Sequence, residues 1–515
     1  MDRRNPWDAV GLGLVAVFCA GVSLCYGLQD IVDGDDVYHL HAIWLVAQGV
    51  IPYREFFEVH PPGMWLVLAP FVAAFTTPST YLLTARACVA IMTGAITWLA
   101  GRAIRANSLQ ALVLGACVCG ITGYVQLWIF RAEYVAVVLV MAHLAMLMAS
   151  LESPGGLVKP VLAAAALALA CTISVRAVPF LVVQPLAMLL ATPRTMWRHR
   201  ALWRQCLAWL IGLAAGAAPA AIYLTAHHLW LDMWRWAFQF VSDPTVVDWN
   251  LRMERGDLAL LLFGIASLAI TARHPSLSTN RRAVMAIAWM AAVGFHLSNP
   301  HKIYFSAIYA LLLTAALVAT TAVHINSHEA PWRRSGALIC VAVALLFYLR
   351  TIPWLPVPFS RQAQVRQLAV IDWLARVAGG EPVVLVAPYH PMLVRDASDI
   401  QNAWHYGRWI LNDAVRARMR GIGVVLLRRP PVIAKDPEMA YTDNRDLVTW
   451  LAWNRVLTAQ EFESVQSTLA SEYTELSFPV VALGGVRRFG AAFWVRRDRL
   501  AATPPPKPYT VLRAD

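Results

Sequence analysis

Asp30 to Phe71 reads DIVDGDDVYHLHAIWLVAQGVIPYREFFEVHPPGMWLVLAPF. The stretch follows an apolar segment, Trp7 to Leu28, long enough to cross a bilayer. Asp30, Asp33, Asp35 and Asp36 stand just past the end of that segment. A helical run is expected from Val37 to Gln48, with Leu40, Trp44 and Leu45 on one stripe. Gly49 ends the run and Pro52 keeps it from resuming. Arg54, Glu55, Glu58 and His60 come next, then Pro61-Pro62. Carboxylates beside a membrane are costly unless they are solvated or used. The stretch is therefore either a hydrated loop between two spans or a catalytic carboxylate held by a helix on the membrane surface.

Working outward, the composition is that of a membrane protein. Of 515 residues, 58% are hydrophobic and only 14% charged, against about half and a quarter in soluble chains. The apolar excess comes in repeated segments of about 20 residues. About eleven spans are expected, near 7–28, 81–101, 109–126, 133–151, 160–178, 179–193, 205–225, 257–272, 283–298, 303–322 and 335–352. Residues 63–75 are apolar but short and are expected to lie in the interface. Met1 to Asn5 leads straight into apolar sequence with no small-residue cleavage site, so an uncleaved first span is expected.

Basic residues set the orientation. Arg3, Arg4, Arg102, Arg105, Lys159, Arg194, Arg198, Arg200, Arg204, Arg273, Arg281, Arg282, Arg333 and Arg334 all fall in loops that an eleven-span chain with an inside N-terminus keeps in the cytoplasm. The acidic first loop (30–76), the turn Trp128 to Glu133, an aromatic loop (227–256) and the C-terminal region then face outward. The net charge of +12 is thus a topological signal, and no nucleic-acid partner is implied. All eight cysteines lie in expected spans, which implies no disulfide framework. The chain has no zinc-type cysteine pair, no His-Glu-x-x-His and no phosphate-binding loop, and neither cofactor nor metal is expected.

After Arg350 the character changes. Pro353, Pro356 and Pro358 make a stiff linker from a membrane domain of residues 1–352. A small exported α/β domain is expected over 360–500. Its helices are expected at 361–378, 404–420 and 461–471, and its strands at 382–387, 423–427 and 491–497. The Pro-rich segment 501–515 is expected to be disordered.

The acidic pair Asp35-Asp36, Tyr38, Ala42, Gly49, Pro52-Tyr53, Phe56-Phe57-Glu58 and His60-Pro61-Pro62 form an ordered series over about thirty residues. The series resembles the first exported loop of GT-C membrane glycosyltransferases, such as the protein O-mannosyltransferases and the lipid A aminoarabinose transferase. The resemblance implies a GT-C fold and inverting transfer of a sugar from a polyprenyl-phosphate carrier to a glycan, lipid or protein acceptor. The missing eukaryotic targeting signals and the compact loops suggest a bacterial cytoplasmic (inner) membrane setting, with membrane lipids as partners.

Transfer of this kind needs a base for the acceptor hydroxyl and cations for the leaving phosphate. Asp35 or Asp36 is the expected base. His60 stands where the aminoarabinose transferases carry a lysine, and is a candidate for the donor phosphate. The other donor-site candidates are Arg86, Arg131, Glu133, Arg176, His301, Lys302 and Tyr304. Arg131 and Glu133 could equally be an ion pair closing a helix end. Arg86 and Arg176 sit in apolar segments, where arginine needs a partner. A transporter or flippase for lipid-linked sugars, or a non-catalytic binder, is the rival reading. The chain shows no pair of related halves with broken helices, the pattern a transporter would carry.

Overall fold

The computed structural model describes residues 6–30, 32–152, 156–191, 200–240, 243, 255–271, 278–298, 307–325, 331–350, 362–385, 389–395, 413–435, 446–483 and 487–512. Each of the eleven apolar segments expected from the sequence holds a helix: α1 (Pro6–Gly27), α4 (Pro78–Ile104), α5 (Ser108–Val125), α6 (Ala132–Glu152), α7 (Val158–Ile173), α8 (Val183–Ala191), α9 (Arg200–Ala226), α11 (Arg255–Thr271), α12 (Thr279–Ser298), α13 (Ile308–Thr321) and α14 (Pro331–Leu349). Six of the described helices are long and apolar enough to cross a membrane. Four helical stretches are shorter and apolar: Gly63–Ala74, Val158–Ile173, Val175–Leu190 and Ile308–His324. The chain is a helical membrane protein with a small C-terminal sheet.

The fifth and sixth segments are joined more tightly than the sequence suggests. A 3-10 turn, Val175–Val182, sits between α7 and α8, with Pro179 inside it. Proline lacks the N–H and crowds the preceding turn, so an α-helix does not run through. α7 packs closely on α9. Added methyl groups at Gly212 and Gly216 of α9 would stand 2.3 Å and 2.1 Å from the backbone oxygens of Val161 and Ala165. Small residues four apart let two helix backbones meet this way in a bilayer.

At one end of the bundle Glu152 accepts from Arg105 at 2.5 Å and from Arg281 Nη2 at 2.6 Å, joining α4, α6 and α12. The other end carries the turn after α1, the start of α4 and the start of α6. Two further helices lie there. α2 spans Gly34–Ala47 and α3 spans Gly63–Leu68, continued by a 3-10 turn, Ala69–Ala74. α2 begins three residues earlier than periodicity suggests, because Asp33 caps it. Its end follows the sequence: Gly49 takes φ +78°, a left-handed conformation glycine adopts without steric cost.

The aromatic loop begins with α10 (Trp230–Trp234) and a π turn, Arg235–Gln239. Trp236 and Phe240 are buried with ring centroids 5.1 Å and 5.5 Å from Phe57, so this loop packs on the first one. Trp249 lies outside the described residues.

In the C-terminal region α15 (Gln362–Ala378) packs on an antiparallel sheet of order β1-β3-β2-β4. Its strands are β1 (Val432–Ala434), β2 (Tyr473–Leu483), β3 (Arg487–Arg496) and β4 (Thr510–Leu512). Trp373 of α15 meets Phe478 of β2, centroids 5.6 Å apart. Two sequence readings are corrected here. Gly423–Leu427 is not a strand but the end of a helix, Asp413–Leu427. Its buried residues, Val415, Met419, Ile422, Gly423 and Leu426, keep helical spacing. A five-residue apolar run does not by itself distinguish helix from strand. Nor are the described residues 501–512 a structureless tail: Arg497–Ala502 is helical, and Thr510–Leu512 pairs with Glu475–Ser477 along the edge of β2. That edge would otherwise leave backbone groups unpaired. Within the strand expected at 382–387, Val384 makes a single parallel bridge to Ile433.

Candidate active site

The acidic turn is built from the first turn of α2. Asp33 is its N-cap, and its carboxylate accepts from the Asp35 N–H at 2.9 Å. Asp36 reaches back to the Asp33 N–H at 3.3 Å, closing a capping box. Asp35 and Asp36 therefore stand at the positive end of the helix dipole, which favours their ionised forms.

Their surroundings differ. The Asp36 side chain is fully buried and its acceptor sites are engaged. Oδ2 takes Arg86 Nη2 at 2.6 Å, and Oδ1 takes the Phe130 N–H at 2.7 Å. Asp35 keeps 13% of its side chain exposed and lies 2.6 Å from Arg131 Nη2. Burial pushes its pKa up to about 6, against the pull of Arg131 and with help from neighbouring Asp33, Glu133 and Asp36. Such a carboxylate accepts a proton near neutrality far better than an ordinary one.

Arg86 belongs to the support of this turn. It bonds Asp36 and the carbonyls of Gly27 and Asp30. Trp128 Nε1 donates to Asp30 Oδ2 at 2.7 Å, docking the turn before α6 onto the same loop.

Arg131 and Glu133 serve separate partners. Arg131 holds Asp35, while Glu133 forms an ion pair with Arg176 Nη1. Arg176 stands at the start of the 3-10 turn after α7, 17% exposed. Tyr309 of α13 is buried within electrostatic range of both Glu133 and Arg176. Its hydroxyl finds no hydrogen-bond partner among the described residues.

His60 is set by Glu58. Glu58 Oε1 accepts from His60 Nδ1 at 2.8 Å, from the Val59 and His60 N–H groups at 2.8 Å and 3.0 Å, and from the Tyr38 hydroxyl. Burial pushes the His60 pKa down, but the hydrogen bond and charge of Glu58 outweigh it. His60 thus ends above the usual histidine value and is more cationic than its residue type implies. His39 packs edge-on to His60 at 5.0 Å, and burial holds His39 well below the usual range, so it is neutral. His41, two residues on, faces away to Met392 and His390.

The structure thus brings Asp35, Asp36, His60, Arg86, Arg131, Glu133 and Arg176 to one end of the bundle. His301, Lys302 and Tyr304 lie outside the described residues. Glu58, Tyr38 and Tyr309 were not picked out as site residues. Glu58 and Tyr38 stand inside the quoted series and could have been found there. A lone tyrosine in an apolar helix carries almost no signal. No group of three or more His, Cys, Asp or Glu side chains that could hold a metal occurs among the described residues.

No protein-family model matches the sequence, and no curated protein does. Solved structures match the fold. The apo oligosaccharyltransferase of Archaeoglobus fulgidus aligns over 99% of this chain and 76% of its own, at 9% identity and TM-score 0.54. ArnT of Cupriavidus metallidurans bound to undecaprenyl phosphate aligns over 97% of this chain and 99% of its own, at 15% identity and TM-score 0.52. Both are GT-C glycosyltransferases, and the chain has their fold.

Proposed function

We propose that this GT-C-fold protein is an inverting glycosyltransferase that moves a sugar from a polyprenyl-phosphate carrier to an acceptor hydroxyl at the outer face of a bacterial inner membrane. The observation that carries the reading is the difference between the two adjacent acids. Burial raises the pKa of both, but Asp36 is consumed by Arg86 and Phe130, while Asp35, its pKa raised to about 6, stays partly open. A capping box alone needs no such carboxylate.

In this reading Asp35 takes the proton of the acceptor hydroxyl. The freed oxygen attacks the anomeric carbon from the face opposite the phosphate. The sugar–phosphate bond breaks with its electron pair leaving on the phosphate, so the configuration inverts. No proton donor is required for that leaving group. It does gain charge, which Arg176 and the cationic His60 stabilise more in the transition state than in the bound donor. Lys302, His301 and Tyr304 are proposed to join them. Arg131 keeps Asp35 ionisable, Glu133 aims Arg176, and Arg86 with Asp36 holds the turn rigid. The C-terminal region is placed outside the membrane, and no metal is assigned a role.

The test is a purified preparation in lipid nanodiscs, given polyprenyl-phosphate sugars and cell-envelope acceptors. Transfer with inverted configuration supports the reading. Movement of lipid-linked sugar across the bilayer without transfer would replace it with the transporter reading.

A further inference from the structure

Arg86 is not alone in holding the turn after α1. Its Nη1 donates to the carbonyl oxygens of Gly27 and Asp30, each at 2.7 Å. Gln364 of α15, 337 residues after Gly27, donates its Nε2 to the same two oxygens, each at 2.8 Å. One turn along α15, Gln367 Oε1 accepts from the Val32 N–H at 2.7 Å. Further along, Asp372 Oδ1 accepts from the Ser79 N–H at 3.0 Å, in the first turn of α4, the helix that carries Arg86. Gln364 and Gln367 are 0% and 2% exposed.

The chemistry of this contact is specific. The turn leaves a membrane helix with the Gly27 carbonyl buried and the Asp30 carbonyl partly buried, and such carbonyls need donors. Arg86 places its charge against Asp36, so a second cation beside it would be repelled. A glutamine amide supplies two N–H groups without charge. Positions 364, 367 and 372 lie on one side of a helix, so α15 docks as a rigid bar. It spans the loop before Asp33, the N-terminal turn of α4 and, through them, the Arg86–Asp36 pair.

We propose that α15 is a positioning element for the reactive carboxylate, with Gln364 and Gln367 its positioning residues. They fix the turn 27–32, and so hold Asp33, Asp36 and Asp35 in register for proton transfer. The C-terminal region thereby completes the active site of the membrane domain without touching substrate. This inference rests on the reading of Asp35 as the base. A displacement near 1 Å at such a group costs turnover about 100-fold.

The experiment uses the full chain in nanodiscs with Gln364→Met, Gln367→Met and the double variant, which keep bulk and lose the hydrogen bonds. Gln364→Asn keeps a shortened amide. Hydrogen–deuterium exchange, thermal unfolding, and kcat and KM for the donor are measured on each. Faster exchange confined to residues 28–38, and kcat lowered about 10- to 100-fold with donor KM nearly constant, are expected. Gln364→Asn should fall between parent and Gln364→Met. Unchanged exchange, or faster exchange with kcat preserved, would overturn the proposal. If the double variant does not fold, the single Gln367→Met, which gives up one bond, decides by the same readouts. A parent without turnover would sink the transfer reading and leave the anchoring to be judged by exchange.

Discussion

Arg131 and Glu133 stand two residues apart and turn to different partners: Arg131 to Asp35 at 2.6 Å, Glu133 to Arg176. The start of α6 therefore divides the site. One residue governs the carboxylate that would accept a proton, the other a cation that would face the leaving phosphate.

That division separates the two neighbouring acids by experiment. Asp35→Asn keeps shape and loses basicity, so transfer should be abolished while donor binding stays near the parent's; Asp33, 3.8 Å from Arg131, still supplies counter-charge, so the melting temperature falls less than in Asp36→Asn. Asp36→Asn leaves Arg86 buried without its counter-charge. Removing one partner of a buried pair costs roughly 3–5 kcal/mol, so this variant should melt earlier. Thermal unfolding and donor binding, measured side by side, distinguish the two. A destabilised Asp35→Asn with a stable Asp36→Asn would exchange their roles.

The pH profile should be a bell. Asp35 must be ionised to act, so turnover rises with pH through about 6. His60 must be protonated to face phosphate, and its pKa lies above the ordinary value, so turnover falls on the alkaline side of that shifted value. Arg131→Gln removes the charge that holds the Asp35 pKa down and should move the acidic limb upward. The stability contribution of Asp35 runs the other way. A carboxyl whose folded pKa is raised contributes most below the usual carboxylate range and loses that contribution as pH rises through about 6. An acidic limb at the ordinary carboxylate position would remove Asp35 as the base.

Arg176 tests the phosphate site. Arg176→Ala should lower kcat on the order of 100-fold, with a smaller effect on donor KM. Arg176→Lys should recover only part, since an ammonium cannot hold a phosphate and Glu133 with the same forked geometry. Steady-state kinetics with a polyprenyl-phosphate sugar give both numbers. Parent-like turnover in both variants would confine Arg176 to its pair with Glu133.

Orientation is tested by fusion. A reporter active only outside the cytoplasm, joined after Phe359, should be active, because the pattern of basic loops in the sequence predicts that point on the outer side. Activity of a cytoplasm-dependent reporter at the same junction would invert the arrangement.

Much of the fold was legible because its signals are local. A run such as Trp7–Leu28 is apolar enough to cross a bilayer whatever it packs against. The acids after it mark a membrane mouth by composition alone. Gly49 ends α2 through its own backbone chemistry, whereas periodicity missed the start at Gly34, which the Asp33 side chain caps. Where the signal was short, it misled. The run Gly423–Leu427 suited a strand but continues the helix begun at Asp413, and the Pro-rich tail hid a strand that needed the edge of β2 to form.

The sequence by itself determined that the chain is a helical membrane protein with a cluster of acids and cations in its first loop, since hydropathy and residue type are properties of short segments. Only the tertiary structure decided which acid is engaged and which is open. Asp35 and Asp36 are alike in sequence, and their difference comes from Arg86, Phe130 and Arg131, about 50 to 100 positions away. Gln364, on a helix more than 300 residues later, reaches the turn before α2 because it shares two carbonyls with Arg86. Electrostatics and hydrogen bonding act across space, and the fold alone sets which distant side chains come within 3 Å.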